Sequence, residues 1–442
     1  MGRILKTFDL AIFLAVSVLI ALSVAFIYSS DVNSDGVLVA RKYIKQIVFA
    51  AVGIAVMFAT ALYDYRRMRR YCPHLFAFLV VVLLLTKFVG LSVNSARSWL
   101  AIGFRERPVF TVQPSEFCKI FFIFFLAWYF ERSRSKNPLE RFAVSFLITM
   151  VPFALILVQP DLGTASVYVP ILLTMAFMAD IPAKYILTFV GFGVLTVVFM
   201  VLPVWESDIA RTSIPVVRVL SNFRMRLIVI LASVSIVIIG VFGTTYFQET
   251  KAFCWIAVVF GVISAALVCS YLGQFVMKEY QISRLIIFLD PYVDPLGNGY
   301  NVIQSKLAIG SGMLAGKGFL QGSMSHLQFL PERSTDFIFS IYSEEMGFVG
   351  CMVIFVCYFV ILMRNLLVIR GTRNYFGMMI SSGILGMVFF HFMVNVGMVM
   401  GVMPITGIPL IFMSYGGSSL WTGMIAMGLL MSINSRKLDF MR

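Results

Sequence analysis

The stretch LAIFLAVSVLIALSVAFIY, residues 10–28, decides the fold class, because it carries no charge and is as long as a full membrane span. About 20 apolar residues in a helix cover the hydrocarbon layer. No small-residue cleavage site follows before Asp31, so the run reads as a first transmembrane helix and not as a removable leader. Similar runs recur near 44–63, 74–91, 115–130, 142–158, 162–179, 184–203, 227–244, 252–277, 337–363, 375–400 and 408–434. With the first, they make twelve candidate spans. The 442 residues are 60% hydrophobic and 13% charged, with a mean hydropathy of +0.93. Soluble domains carry about 25% charged residues, so an ordinary soluble globule is excluded. The expectation is an all-α polytopic bundle, one integral membrane domain over 1–442.

Charge orients the bundle. An even count puts both termini on one side, and the clusters Arg66, Arg67, Arg69, Arg70, then Arg132, Arg134, Lys136, Arg141, then Arg364, Arg370, Arg373, then Arg436, Lys437, Arg442 fall on that same side. The positive-inside rule makes it the cytoplasm. The segment 227–277 reads as an inserted helical hairpin. Arg218, Arg224 and Arg226 before it would lie outside, against the rule. Without the hairpin the count falls to ten and the remaining topology is unchanged. Arg41, Lys42 and Lys45, and Arg97, Arg105 and Arg107, also stand on the translocated side. They would hold an anionic ligand at the outer surface or pair with lipid headgroups and local acids.

The longest polar interruption lies between two spans, in an outer loop over 279–336, and is too long for an ordinary connection. Six of the chain's 21 carboxylates fall between Asp290 and Glu345: Asp290, Asp294, Glu332, Asp336, Glu344 and Glu345, near Lys306, Lys317 and Arg333. A carboxylate base beside fixed cations suits proton abstraction and anion binding; a solvated rim of ion pairs is the plainer reading. Asp294, in D-P-L-G-N-G, also suits a turn. Residues 302–314 fit an amphipathic helix at the interface. Gly316-Lys317 resembles the end of a phosphate loop, but Ser311 and Gly318 break that motif and no strand precedes it.

Two further constellations lie at helix ends. In Q-P-S-E-F-C-K, residues 113–119, Pro114 and Glu116 mark a helix start, and Glu116 and Lys119 share a face. Lys119 then lies roughly 8 Å below that start, where a lone ammonium is costly. Q-P-D-L-G, residues 159–163, repeats the pattern, with Asp161 as ligand group or helix cap. From Asn395 to Ser419, Pro404, Gly407, Pro409 and S-Y-G-G-S-S break a span at membrane depth. Such a break requires its backbone to be buried in protein or to line a polar cavity. The six cysteines read as packing, and His74, His326 and His391 receive no role.

In these residues and motifs the sequence resembles the SEDS family (shape, elongation, division and sporulation) of polytopic peptidoglycan polymerases. The matching stretches are NSARSWLAIG (94–103), QPSEFCK (113–119), QPDLGTA (159–165), DPLGNGYNVIQSKLAIGSG (294–312), FLPERSTDFIFS (329–340), EEMG (344–347) and GIPLIFMSYGGS (407–418). NSARSW and FLQGS point to the elongation and rod-shape branch more than to the division branch. The resemblance implies a glycosyltransferase that polymerises lipid II, the undecaprenyl-pyrophosphate-linked precursor, on the outer leaflet of the bacterial cytoplasmic membrane.

The family's loop aspartate matches Asp294, which becomes the expected general base. Its cavity residues match Glu116, Lys119 and Asp161. Arg97, Gln304, Lys306, Glu332, Arg333 and Asp336 complete the expected substrate-binding set, with the loop as a lid carrying the base over an intramembrane cavity. A class B penicillin-binding protein, the elongation machinery and membrane lipids are the implied partners, and nucleic acid is not. A divalent cation, Mg²⁺ or Mn²⁺, is implied by the family alone, since no ligand motif is legible.

Three positions depart from the family pattern: Asp290 stands where many members carry Asn, Ser334 where His is expected, and the hairpin exceeds a ten-span plan. The competing readings are a flippase for the lipid-linked precursor, with Lys119 and the break at 404–409 along its path, and a non-catalytic scaffold for a transpeptidase.

Overall fold

The computed structural model describes residues 9–33, 36–93, 96–104, 107–206, 209, 214–246, 250–276, 279–297, 299–326 and 332–437. Each of the twelve apolar runs carries a helix. In chain order these are α1 (Leu10–Asp31), α2 (Lys42–Leu62), a 3-10 turn (Tyr65–Tyr71) leading into α3 (Cys72–Val89), α4 (Pro114–Arg132), α5 (Pro138–Leu157), the broken pair α6 (Leu162–Ser166) and α7 (Tyr168–Met178), and α8 (Ala183–Trp205). Then come α9 (Pro215–Ser221), α10 (Phe223–Tyr246), α11 (Thr250–Val276), α12 (Glu279–Leu289), α13 (Tyr300–Gly312), α14 (Ser323–His326), α15 (Ile338–Gly371), α16 (Tyr375–Val399) and α17 (Gly417–Arg436).

Among the described residues, nine helices are long and apolar enough to cross a membrane, which makes this a multi-pass membrane protein. The other three runs fall short for visible reasons. Helix α4 carries Glu116, Lys119, Glu131 and Arg132; α6 and α7 together span only Leu162–Met178; α17 is rich in Gly, Ser, Thr and Asn. The expected helix at 302–314 is present as α13, two residues earlier at each end.

One feature was not anticipated. Residues 91–112 form a three-stranded antiparallel meander, β1 (Leu91–Val93), β2 (Ala96–Phe104) and β3 (Arg107–Val112). It carries the chain from the end of α3 to Gln113, whose extended backbone caps α4.

The chain divides into two compact units, one comprising 1–181 and 304–442, the other 182–303. In the first, α16 is central: 67% of its span is buried, and it packs against α4, α7 and α15. Helix α1 lies against α15 and α2, and α2 against α17. The basic clusters are tied to the ends of the described chain. Arg364 grips Asp9 with bonds of 2.7 to 3.0 Å, Asn434 reaches the same carboxylate, and Arg66 donates to the Arg436 carbonyl. The second unit is built on α8, α10 and α11, with α9 beside α8 and α10, and α12 running into a 3-10 turn at Pro291–Val293. Helices α10 and α11 cross closely at Gly240, where an added Cβ would come within 3.0 Å of the Ala257 Cβ.

Candidate functional site

The broken segment between α16 and α17 organises the first unit. Residues 404–416 have no regular structure, yet Ile408 and Leu410 to Met413 are almost wholly buried, so every backbone group needs a partner. Side chains from surrounding helices supply them. Asn395 Nδ2 donates to the Ile408 carbonyl at 2.7 Å and to the Asp336 carbonyl at 3.0 Å. His391 Nδ1 meets the Pro409 carbonyl at 3.0 Å, the Tyr358 hydroxyl donates to the Ile411 carbonyl, and Ser23 donates to the Met413 carbonyl at 2.7 Å. Gln46 serves both Ser414 and Gly416, and the Tyr415 N–H donates to the Ser334 carbonyl at 2.8 Å. Phe412 sits in the left-handed region at φ +73°, a conformation a bulky residue keeps only when its surroundings impose it.

Against this segment lies the buried ion pair. Lys119 Nζ stands 2.7 Å from Glu116 Oε1, and the two side chains are only 1% and 3% exposed. The second contact of the ammonium is His391 Nε2 at 3.0 Å. The Pro409 carbonyl can only accept, so Nδ1 carries the imidazole proton and Nε2 is left to accept from Lys119. His391 thus joins the ion pair to the broken segment. Reading from sequence gave it no role; the available signal was its place one turn before Asn395, on the same face of an otherwise apolar helix.

Gln113 ties together three helix starts. Its N–H donates to Ser418 Oγ in the first turn of α17 at 3.0 Å, and its Nε2 donates to Asp161 Oδ2 at 2.9 Å and reaches Thr164 Oγ1 at 3.5 Å. Asp161 caps α6, accepting from the Thr164 N–H at 3.0 Å and the Thr164 hydroxyl at 2.8 Å. The cap reading of Asp161 therefore describes its geometry, with Gln113 linking it to the starts of α4 and α17. Gly163 is needed here, because a side chain would collide with the Thr406 carbonyl. The starts of α4 and α17 add positive potential to that of Lys119.

A second polar cluster lies at the N-terminus of α2. The Lys42 N–H donates to Asp31 Oδ2 at 2.8 Å, while Lys42 Nζ donates to Ser334 Oγ at 3.1 Å and stands over the Tyr415 ring. Burial lowers the Arg333 guanidinium from its usual value, and the charge of Asp31 opposes that shift. Glu332 is exposed in a turn, accepting from the Thr335 hydroxyl at 3.2 Å. Asp336 Oδ2 faces Gly407, 3.5 Å from where a Cβ would stand. On α13, Gln304 is half-buried and the Lys306 side chain runs over Gly401. Arg97 lies on β2 opposite Ser92; its side chain is outside the described residues.

Glu344 and Glu345 do not join a solvated rim: both are 0% exposed. Glu344 takes Lys317 Nζ at 2.6 Å, Ser323 Oγ at 3.0 Å and the Met324 N–H at 3.1 Å. Glu345 takes Ser29 Oγ at 2.5 Å and the Leu320 N–H at 3.0 Å. They strap the 317–324 segment onto α15.

Asp294 belongs to the second unit. It follows the 3-10 turn, is half-buried, and its Oδ1 accepts from the Gly297 N–H at 3.0 Å, while its carbonyl accepts from the Gly299 N–H at 3.0 Å. Asp290 similarly takes the Tyr292 N–H at 2.9 Å. The turn predicted from D-P-L-G is present and is held by the carboxylate itself.

Nine helices long and apolar enough to span among the described residues, a buried Glu–Lys–His cluster and a broken helix satisfied by its neighbours define a polytopic helical membrane protein with a polar centre inside the bundle. The chain belongs to the FtsW/RodA/SpoVE family of cell cycle proteins, whose model matches residues 7–223 and 204–438. It is 45% identical to the peptidoglycan glycosyltransferase RodA of Treponema pallidum, over 99% of both chains. It is 30% identical to the peptidoglycan glycosyltransferase MrdB of Escherichia coli K12, over 97% of this chain and 94% of that one. In fold it matches a chain of a peptidoglycan synthase complex that coordinates polymerization and crosslinking (TM-score 0.65, 23% identity, 97% and 98% of the two chains). It also matches Thermus thermophilus RodA (TM-score 0.59, 21% identity, 97% of each chain).

Proposed function

We propose that the chain is a peptidoglycan glycosyltransferase that polymerises lipid II on the outer face of the bacterial cytoplasmic membrane, for cell-wall elongation. The observation that carries this reading is the 45% identity, over 99% of both chains, to a relative named for that activity. Both termini lie in the cytoplasm, in keeping with the basic residues gathered where Asp9 meets Arg364 and Asn434. The hairpin at 227–277 inserts in the membrane, and the loop at 279–336 is extracytoplasmic. A class B penicillin-binding protein is the partner that crosslinks the product, a reading that the fold match to a synthase complex favours.

In the reaction, a sugar hydroxyl of the acceptor attacks the anomeric carbon of the donor. The new glycosidic bond forms as the bond from that carbon to the pyrophosphate oxygen breaks. Asp294 takes the hydroxyl proton as general base, and undecaprenyl pyrophosphate leaves as the anion with no acid needed. One displacement inverts the anomeric centre. Lys119, with the starts of α4 and α17, offsets charge growing on the pyrophosphate. Arg97, Glu116, Asp161, Gln304, Lys306, Glu332, Arg333 and Asp336 orient the substrate.

The divalent cation that the resemblance implies has no ligand set among the described residues. No group of three or more His, Cys, Asp or Glu is placed to hold a metal, and Glu116, Asp161, Glu344 and Glu345 are bonded to protein groups. No step is routed through a metal.

The purified protein, with a class B penicillin-binding protein and lipid II, is expected to make glycan chains resolvable on a gel, and Asp294→Ala is expected to make none. Polymer from Asp294→Ala at the wild-type rate removes Asp294 as the base. No polymer from the wild type, with lipid II transport intact, turns the assignment to a flippase. The enclosure of Lys119 between Glu116 and His391 favours the enzyme, since a flippase would keep that charge along an open path.

A further inference from the structure

The hairpin of the second unit contains an arginine that no described residue neutralises. Arg226, one turn into α10, is 2% exposed. Its Nη2 donates to Ser270 Oγ on α11 at 3.1 Å, and its guanidinium carbon lies 5.4 Å from the centre of the Tyr271 ring. Its Nε is buried without an acceptor. From residue 209 to residue 248 the sequence holds Arg211, Arg218, Arg224 and Arg226 and no Asp or Glu. A hydroxyl and an aromatic face offset part of the cost of burying a guanidinium, but a charge withdrawn from water calls for an anion.

The charge pattern at this helix start points the same way. The first turn of α10, a 24-residue helix, carries no acidic residue, and Arg224, exposed on another face of the same turn, adds a second positive charge at this helix start. Cations at the positive end of a helix dipole repel it, so Arg226 and the dipole both gain from a bound anion. The same turn borders a cavity of about 620 Å³ lined by Pro215, Val219, Ser221, Asn222, Phe223 and Met225. Phe223 lines that cavity, and its ring packs 5.4 Å from the Tyr271 ring that lies under Arg226. Two polar and four apolar side chains line it, a mixture suited to the junction of a headgroup and an acyl chain.

We propose that this corner of the hairpin binds the phosphate of an anionic membrane lipid, with Arg226 as the cation that holds it. A phosphate oxygen supplies the acceptor that Nε lacks. The inference is independent of the polymerase reading, because its test measures binding and not turnover.

The full-length protein in detergent is melted with short-chain phosphatidylglycerol, short-chain phosphatidylcholine or inorganic phosphate. Phosphatidylglycerol is expected to raise the midpoint well above phosphatidylcholine. Arg226→Gln is expected to weaken the apparent affinity for phosphatidylglycerol about tenfold or more, the usual cost of losing a charge-assisted bond. Ser270→Asp places a carboxylate against Arg226, and is expected to raise the lipid-free midpoint and abolish the lipid response; it keeps the test decisive if Arg226→Gln does not fold. An equal rise with inorganic phosphate alone, lost in both variants, assigns the same site to free phosphate. No selective rise in the wild type, or an undiminished one in both variants, overturns the proposal and leaves a carboxylate of a partner helix as the counter-ion.

Discussion

His391 Nε2 lies 3.0 Å from Lys119 Nζ, across 272 residues of sequence, and both side chains are buried. Because its other nitrogen bonds to the Pro409 carbonyl, His391 links the Glu116–Lys119 pair to the broken segment before α17. His391→Leu removes both bonds while keeping an apolar side chain of related size. It is expected to cost about 2–4 kcal/mol, since a buried carbonyl and part of an ammonium lose their partners. Polymer yield from lipid II should fall with it. His391→Gln, which keeps an amide donor and acceptor, should recover part of both losses, as read by thermal melting in detergent and by gel.

The ion pair itself invites a cycle of variants. Glu116→Leu or Lys119→Met alone strands a buried charge, and each is expected to destabilise by about 3–5 kcal/mol. The double variant buries neither charge and should be less destabilised than the sum of the singles, the difference being the coupling energy of the pair. Melting midpoints of the four proteins check this; strict additivity would show that the pair is uncoupled. Recovery of stability in the double variant without recovery of polymerisation would separate the role of Lys119 in the reaction from its role in the fold.

Asp294 performs two tasks that one substitution can separate. Its Oδ1 holds the turn by accepting from the Gly297 N–H, a bond that the Asn amide oxygen also makes. Asn cannot take a proton from a sugar hydroxyl. Asp294→Asn is therefore expected to melt like the wild type yet lose at least about a hundredfold in rate, the lower range for a general base. Near-normal polymerisation by Asp294→Asn, with loss only in Asp294→Ala, would make Asp294 a turn residue.

What was legible in the sequence follows from the range of the forces involved. Spans such as residues 10–28 announce themselves because hydrophobic length is a local property, and Glu116 with Lys119 is legible because three residues bring both onto one helix face. His391 was missed because its partner is 272 residues away and its own surroundings are apolar. The β-meander at 91–112 was missed because its register is broken at Leu91/Ser92 and Ile102/Gly103, which interrupts the alternation that marks a strand. Glu344 and Glu345 looked like part of a solvated outer rim because composition reports that acids are near one another, not which way they point.

The strap formed by Glu344 gives a local test. Its carboxylate is fully buried and holds Lys317, Ser323 and the Met324 N–H, three groups that sequence places twenty or more residues away. Glu344→Gln keeps the shape but removes the charge that Lys317 answers, and it leaves at least one donor poorly matched. Because the Lys317 side chain is 29% exposed, it can turn to water, so the damage should be confined to the strap. Hydrogen exchange is expected to rise at 317–326 by at least about tenfold, matching a loss of roughly 1.4 kcal/mol or more in local opening energy, while α16 amides stay protected. Unchanged exchange at 317–326 would show that the loop is held by Glu345, through Ser29 and the Leu320 N–H, and not by Glu344.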